Sequence, residues 1–145
     1  MADWASSAGL KLIQVLPLND TISTHTGSDV LPYAAISAFA LNPLFMDLDK
    51  LPIDPKSDIA TEYKKLQPEL NSLEIMDYER VIAFKLKYIQ QSYLYKKSTF
   101  LKEKKFKDFY KENEYWLKPY SVYSCIRDHK GSADYRTWKE FAKYS

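Results

Sequence analysis

The sequence has a single cysteine, three glycines and two histidines among 145 residues. One cysteine excludes a disulfide within the chain, and it predicts a reducing, cytoplasmic compartment. No two glycines form a Gly-x-Gly pattern, so a phosphate-cradling loop is excluded. His25 and His129 share no metal-ligand spacing with Cys125. We therefore expect no zinc site and no other cofactor.

An excess of charge is also missing, since the formal net charge is only +2. This balance gives no reason to expect a nucleic-acid partner. Tyrosines and lysines do alternate between Lys85 and Lys97, as in single-strand binding surfaces, but a solvated helix face is the more common meaning of such a pattern. The longest apolar run, residues 30–45, is too short for a bilayer and is interrupted by Pro32 and Pro43. We expect a soluble protein without a secretion signal.

The most apolar continuous segment of the chain is Leu10 to Leu18. It does not alternate between apolar and polar residues, which is typical of a parallel strand buried on both faces. Residues 2–8 favour a helix that Gly9 would end, so the start of the chain predicts one unit of an α/β fold. No second strand of this quality follows. We therefore predict a fragment of a longer α/β enzyme.

The remainder of the chain is predicted to be mainly helical. Residues 52–67 have the turn signals of a linker. Apolar residues then recur at helical spacing, and Asp77 is a suitable cap for the first of these helices. Further helices are predicted over 99–113, over 119–131 with Pro119 in the first turn, and around Trp138.

A polar loop follows the predicted strand and contains two carboxylates, Asp20 and Asp29. Glycoside hydrolysis needs two carboxyl groups on either side of the sugar bond, so this pair is a candidate for catalysis. Both residues also stand in turn-forming sequences, which favours a structural role. Hydrogen bonding of Asp29 to a ligand is the stronger functional hypothesis.

Five stretches of sequence together resemble one known family. They are VLPLNDT, SDVLPY, SAFALNPLF, MDYERVIAFK and FKDFYKENEYWLKPYSVYSCIRDHKG. In order and spacing they resemble the N-terminal part of the 4-α-glucanotransferases, the amylomaltase or disproportionating-enzyme family of glycoside hydrolases. The Asn-Asp-Thr after the predicted strand is closer to the branch that includes the plant cytosolic enzyme.

The resemblance implies part of a (β/α)8 TIM barrel, with Leu10–Leu18 as its first strand and a mainly α-helical subdomain inserted after it. Residues 1–50 would supply the first helix, strand and active-face loop, and residues 51–145 the helical subdomain. The loop would then border the active site, since barrel active sites lie at the carboxyl ends of the strands. The remainder of the parent barrel would pack against this piece.

The family transfers segments of α-1,4-glucans such as maltodextrin, starch and glycogen to glucose or maltose acceptors with retention. The resemblance implies substrate contacts at Asp29, Tyr33, Ser37 and Asn42, with Tyr33 on the acceptor side. The family's catalytic carboxylates lie on later strands, so we expect no catalytic residue in this chain and no activity of the chain alone. Residues 30–31 are Val-Leu where family members have serine or Ser-Tyr. The alternative is a non-catalytic helical module that binds carbohydrate or another protein.

Overall fold

The computed structural model describes residues 1–143, and its regular structure is helical. The last two residues of the predicted 51–145 unit lie outside the described part. The described residues form four α-helices: α1 (Ala2–Ser7), α2 (Asp58–Asn71), α3 (Tyr78–Phe100) and α4 (Lys104–Lys130). Short 3-10 turns lie at Gly27–Val30, Pro43–Phe45, Leu48–Lys50, Tyr135–Thr137 and Lys139–Ala142.

The prediction of an α/β fold with Leu10–Leu18 as a TIM-barrel strand is wrong for this structure. Residues 1–143 contain no strand, and the one isolated bridge pairs Asn19 with Leu41 in antiparallel fashion. The apolar side chains of Leu10–Leu18 are exposed, that of Leu12 by 84%. A strand is held by a ladder of hydrogen bonds to a neighbouring strand. Within the described residues, the backbone hydrogen bonds of this segment lie only at its two ends, from the Leu10 N–H to the Ala5 carbonyl oxygen and from the Asn42 N–H to the Leu18 carbonyl oxygen, both at 2.9 Å. The segment therefore has no ladder that would make it a strand.

The helices predicted for residues 2–8 and from Asp77 are confirmed as α1 and α3. Asp77 caps α3 by accepting a hydrogen bond from the Arg80 N–H at 3.2 Å. The linker predicted for residues 52–67 is wrong, because α2 begins within it. Its Ser-Asp turn signal is the start of that helix, where the Ser57 hydroxyl accepts a bond from the Ala60 N–H. Serine favours both turns and helix N-caps, so the local pattern alone did not distinguish them.

α4 is one continuous helix, whereas the sequence predicted two that were separated before Pro119. The helix contains Pro119 and ends at Gly131, which adopts a left-handed conformation with φ 62°. A proline in mid-helix costs one backbone hydrogen bond. Two tertiary contacts hold the helix on either side of Pro119: Trp116 stacks on Phe39, and Tyr120 hydrogen-bonds to Asp20. This packing explains why the helix continues.

Two apolar clusters on α3 form the described core. The first joins Leu48 and Ile59 to Phe84 and Tyr88, and the second joins Ile22 to Tyr78 and Ile82. Residues from the predicted 1–50 unit therefore pack against α3 in both clusters. The division of the chain at residue 50 stays a prediction.

Lys85 connects α3 to the segment before it. Its half-buried ammonium group donates hydrogen bonds to the carbonyl oxygens of Leu44 at 2.5 Å and Met46 at 2.8 Å. Burial lowers the pKa of Lys85, while the nearby charge of Asp47 acts in the opposite direction. The two bonds fix the end of the Pro43–Phe45 turn against the helix.

We expect Lys85→Met to lower the free energy of unfolding by about 1–3 kcal/mol, because two carbonyl groups lose a charged donor. Lys87→Met is the matched control on the same helix. Lys87 forms a salt bridge with Glu62 at 2.7 Å on the surface, and such pairs contribute about 0–1 kcal/mol. Urea unfolding followed by circular dichroism measures both variants. Equal effects of the two substitutions would contradict the role assigned to Lys85.

No helix within residues 1–143 is long and apolar enough to cross a membrane. Over the same residues, no group of three or more histidine, cysteine or acidic side chains is arranged to hold a metal ion.

Candidate functional site

The loop over residues 19–29 closes around the carboxylate of Asp29, a residue that is 2% exposed. The backbone N–H groups of Ser23, Thr24 and His25 donate to it at 3.1, 3.0 and 2.7 Å. The hydroxyl groups of Ser23 and Thr24 donate as well, at 2.8 and 3.0 Å. Both carboxylate oxygens are thus occupied by the loop that Asp29 ends.

These bonds also determine the charge state of Asp29. Burial alone raises the pKa of its carboxyl group, but the hydrogen bonds from Ser23 and Thr24 outweigh that effect. The pKa therefore lies below its ordinary value of 3.8. At neutral pH, Asp29 is therefore ionised, and its carboxylate holds the loop backbone through these hydrogen bonds.

Asp20 connects the same loop to α4. One of its oxygens accepts a bond from the Ile22 N–H at 2.9 Å, and the other accepts the Tyr120 hydroxyl at 2.6 Å. Burial, followed by the bond to Asp20, raises the pKa of Tyr120. Asp20 is itself buried. The Asp20 and Asp29 carboxylates are both engaged in holding the loop, which favours their structural interpretation over a catalytic pair.

A second contact with α4 involves Arg127 and Asp128. The buried Arg127 guanidinium group donates to the Ile22 carbonyl oxygen and, at 2.8 Å, to the Asp128 carboxylate. The His25 ring reaches the same carboxylate at 3.1 Å from a left-handed backbone conformation with φ 59°. Burial raises the pKa of Asp128, but hydrogen bonds from Arg127 and His25 leave it below its ordinary value.

Ser37 and Asn42 serve the backbone that follows the loop. The Ser37 hydroxyl accepts hydrogen bonds from the N–H groups of Phe39 at 3.1 Å and Ala40 at 3.0 Å. The side-chain Oδ1 of Asn42 caps the next turn by accepting the Leu44 N–H at 2.9 Å, and its side-chain Nδ2 donates to the Thr21 hydroxyl at 3.1 Å. Asn42 is buried and Ser37 half-buried.

An aromatic groove runs between residues 36–39 and α4, with a volume of about 490 Å³. Phe39 stacks on Trp116 at 5.4 Å between ring centroids and meets the edge of Tyr115 at 5.8 Å. Sequence reasoning did not assign a role to these rings. The signal for Tyr115 and Trp116 was the aromatic density of the YWLKPYSVY stretch, and Phe39 stood in the family-like stretch SAFALNPLF.

A smaller loop cavity of about 180 Å³ lies beneath the loop. Its lining contains both polar and apolar side chains. Five lining residues carry polar groups: Asn19, Thr21, Asp29, Asn42 and Tyr78. Six are apolar: Pro17, Val30, Pro32, Leu44, Phe45 and Met76. Among the four predicted contacts, Asp29 and Asn42 therefore meet at this cavity, whereas Ser37 lines the aromatic groove. Tyr33 is 74% exposed and lines neither space. That these four residues contact a glucan stays a prediction.

The loop is therefore a hydrogen-bonded polar turn held against α4, with aromatic surface close by. A family model described as 4-alpha-glucanotransferase, of glycoside hydrolase family 77, matches residues 1–145 of the chain. The chain belongs to this family.

Individual 4-alpha-glucanotransferases are similar over nearly all of the chain. The rice (Oryza sativa subsp. japonica) 4-alpha-glucanotransferase DPE2 is 34% identical over 145 residues, which are 100% of this chain and 15% of the rice protein. The Chlamydia pneumoniae 4-alpha-glucanotransferase is 36% identical over 142 residues, covering 95% of this chain and 26% of that protein. The Chlamydia caviae 4-alpha-glucanotransferase is 34% identical over 139 residues, which are 95% of this chain and 25% of that protein.

The chain thus spans about a quarter or less of the length of these curated relatives. No solved structure matches the chain.

Proposed function

We propose that this chain is part of a 4-alpha-glucanotransferase that transfers segments of α-1,4-glucans to a glucose or maltose acceptor with retention. The match of the family model to residues 1–145 carries the proposal. The reaction proceeds through a covalent glycosyl-enzyme intermediate, which requires a nucleophile and an acid/base carboxyl group. We assign the protein to the cytoplasm on the basis of its single cysteine.

The chemistry itself belongs, in this proposal, to residues outside the present chain. In support, Asp20 and Asp29 are buried and their oxygens are engaged within the loop and by Tyr120. The relatives are also several times longer than this chain. The role of this region is then to bind the glucan on the acceptor side of the bond that is cut.

Tyr33 is the residue through which we expect direct contact with the sugar. Its ring is 74% exposed, and an exposed aromatic face packs well against the C–H face of a glucosyl unit. Asp29, Ser37 and Asn42 act in this proposal through the backbone they hold, with Asp29 and Asn42 also shaping the loop cavity.

The alternative is a non-catalytic helical module that binds carbohydrate or another protein. The observation in its favour is the exposed apolar surface, which includes Leu10–Leu18 and the rings of Phe39 and Tyr115. Exposed apolar patches of this kind mark interaction sites.

We expect Tyr33→Ala to weaken binding of maltotriose to the 145-residue chain about tenfold, because removal of a stacking ring costs about 0.5–1.5 kcal/mol beyond its buried area. Isothermal titration calorimetry with maltotriose measures the change. Tyr95→Ala is the control, since Tyr95 is an exposed ring on α3 next to Lys96. Undetectable binding by the unmodified chain, or equal affinity of all three proteins, would refute the proposed sugar contact.

A further inference from the structure

Tyr78 holds a polar group that its surroundings do not satisfy. The residue is 6% exposed, and its ring packs with Ile22 and Ile82 in the second core cluster. Its hydroxyl group is buried and makes no hydrogen bond to any atom of residues 1–143. Buried hydroxyl groups almost always have a partner, so an unpartnered one needs an explanation.

The position of Tyr78 gives that explanation. The residue lines the loop cavity together with Asp29 and Asn42, which are two of the four predicted glucan contacts. Three of the other polar side chains there are already paired: the Asn42 amide donates to Thr21, Thr21 donates to the Asp29 carbonyl oxygen at 2.5 Å, and the Asp29 carboxylate accepts from Ser23 and Thr24. Within the described chain, the Tyr78 hydroxyl is a buried donor without an assigned acceptor, and the residue that carries it lines this cavity.

The electrostatics of the cavity define which ligand groups suit it. Burial, followed by the charges of Asp29 and Asp20, raises the pKa of Tyr78 to about 12. The phenol is therefore protonated at neutral pH and available as a hydrogen-bond donor. The same two carboxylates disfavour an anion, and a volume of about 180 Å³ restricts the cavity to a small group. A neutral hydroxyl group satisfies all of these conditions.

We propose that the Tyr78 hydroxyl donates a hydrogen bond to a hydroxyl group of a neutral sugar that enters the loop cavity. This inference rests on the proposed glucan-binding function and adds to it a binding residue that lies on α3, outside the loop. The ring of Tyr78 packs in the second core cluster, and only its oxygen is assigned to the site. Such a group favours ligands that carry an acceptor at this position and disfavours analogues without one.

The test is maltotriose binding to the full chain with Tyr78→Phe, which removes the oxygen and keeps the ring. We expect a loss of affinity of about fivefold to tenfold, the size of one neutral hydrogen bond. Tyr88→Phe is the matched control, because Tyr88 is another buried tyrosine on the same helix but belongs to the other cluster. Its affinity should equal that of the unmodified chain. A panel of monodeoxy maltotrioses should contain one sugar that binds the unmodified chain and Tyr78→Phe with equal affinity. That sugar would lack the hydroxyl group to which Tyr78 donates.

A second measurement does not depend on the folding of the variant. In the unmodified chain with ¹³Cζ-labelled tyrosine, the Tyr78 resonance should shift when maltotriose is added. Unchanged affinity of Tyr78→Phe, or an unmoved Tyr78 resonance at saturation, overturns the inference and means that the hydroxyl pairs with water. If Tyr33→Ala still weakens binding in that case, the proposed function stands. If the unmodified chain does not bind maltotriose, both are overturned.

Discussion

Replacement of Asp29 by alanine should lower the free energy of unfolding by about 3 kcal/mol. The carboxylate accepts hydrogen bonds from three backbone N–H groups and two hydroxyl groups of Ser23, Thr24 and His25. Bonds to a charged acceptor contribute about 1.5–3 kcal/mol, and donors left without a partner add a penalty. The expected loss is smaller than the summed contributions of the five hydrogen bonds, because the loop is partly exposed and water can bond to some of the donors that lose Asp29. Urea titrations monitored by circular dichroism measure the change.

Asp54→Ala is the matched control for Asp29. Asp54 is an exposed turn aspartate whose carboxylate accepts one backbone N–H, that of Lys56 at 2.9 Å. We expect a loss of about 1 kcal/mol or less for this variant. Similar losses at the two positions would contradict the view that Asp29 organises the loop.

The contribution of Asp29 should also depend on pH. Its pKa in the folded state lies below 3.8, so the folded state favours the ionised carboxylate. The resulting stabilisation is complete above the unfolded-state pKa and is lost as the pH falls below 3.8 through the folded-state value. The stability difference between the unmodified chain and Asp29→Asn should therefore be largest at neutral pH and shrink below about pH 4. If the stability difference between the two proteins grew on acidification, the pKa of Asp29 in the folded state could not lie below its ordinary value.

We expect Ile82→Ala to lower the free energy of unfolding by about 2–5 kcal/mol, because truncation leaves a cavity in the core. Ile82 is 0% exposed and packs with Ile22 and Tyr78, with Leu44 and Leu86 at the edge of the cluster. These neighbours come from three separate segments of the chain. A chain of this length should lose on the order of 10 °C in Tm.

Ile75→Ala makes the same chemical change at a site that is 82% exposed. It should alter the free energy of unfolding by less than about 0.5 kcal/mol. Thermal and urea unfolding of both variants test the assignment of the core. An effect of Ile82→Ala no larger than that of Ile75→Ala would mean that the second cluster does not stabilise the fold.

Local signals in the sequence predicted several elements correctly. The spacing of apolar residues after Asp77 predicted α3, and the carboxylate of Asp77 provides its cap. Gly131 was correctly predicted as the end of the last long helix. These features depend on interactions between residues three or four positions apart, which a single sequence contains in full.

Other elements were decided by residues that lie far apart in sequence. Pro119 predicted a break, but the stacking of Trp116 on Phe39 and the bond of Tyr120 to Asp20 hold one helix across it. The Ser-Asp signal at Ser57 predicted a linker, although α2 begins there and Ile59 packs against α3. Intrinsic helix propensity is a weak guide where packing between residues far apart in the sequence decides whether a helix forms.

The apolar run Leu10–Leu18 shows the difference most clearly. Its pattern predicted a buried strand, but burial and strand pairing both require a second segment. Within residues 1–143, no segment buries its apolar side chains and no strand pairs with it. In the same way, the sequence predicted Asp29 and Asn42 as candidate site residues but could not show that they line one cavity with Tyr78.

The sequence by itself determined the family, the helix ends at Asp77 and Gly131 and the polar loop, because these are properties of residue identity and short spacing. Only the tertiary structure decided that the described chain is helical, that the Asp29 carboxylate is occupied by its own loop, and that the Tyr78 hydroxyl is left without a partner in residues 1–143. The physical reason is that burial and hydrogen-bond satisfaction depend on which distant segments come together.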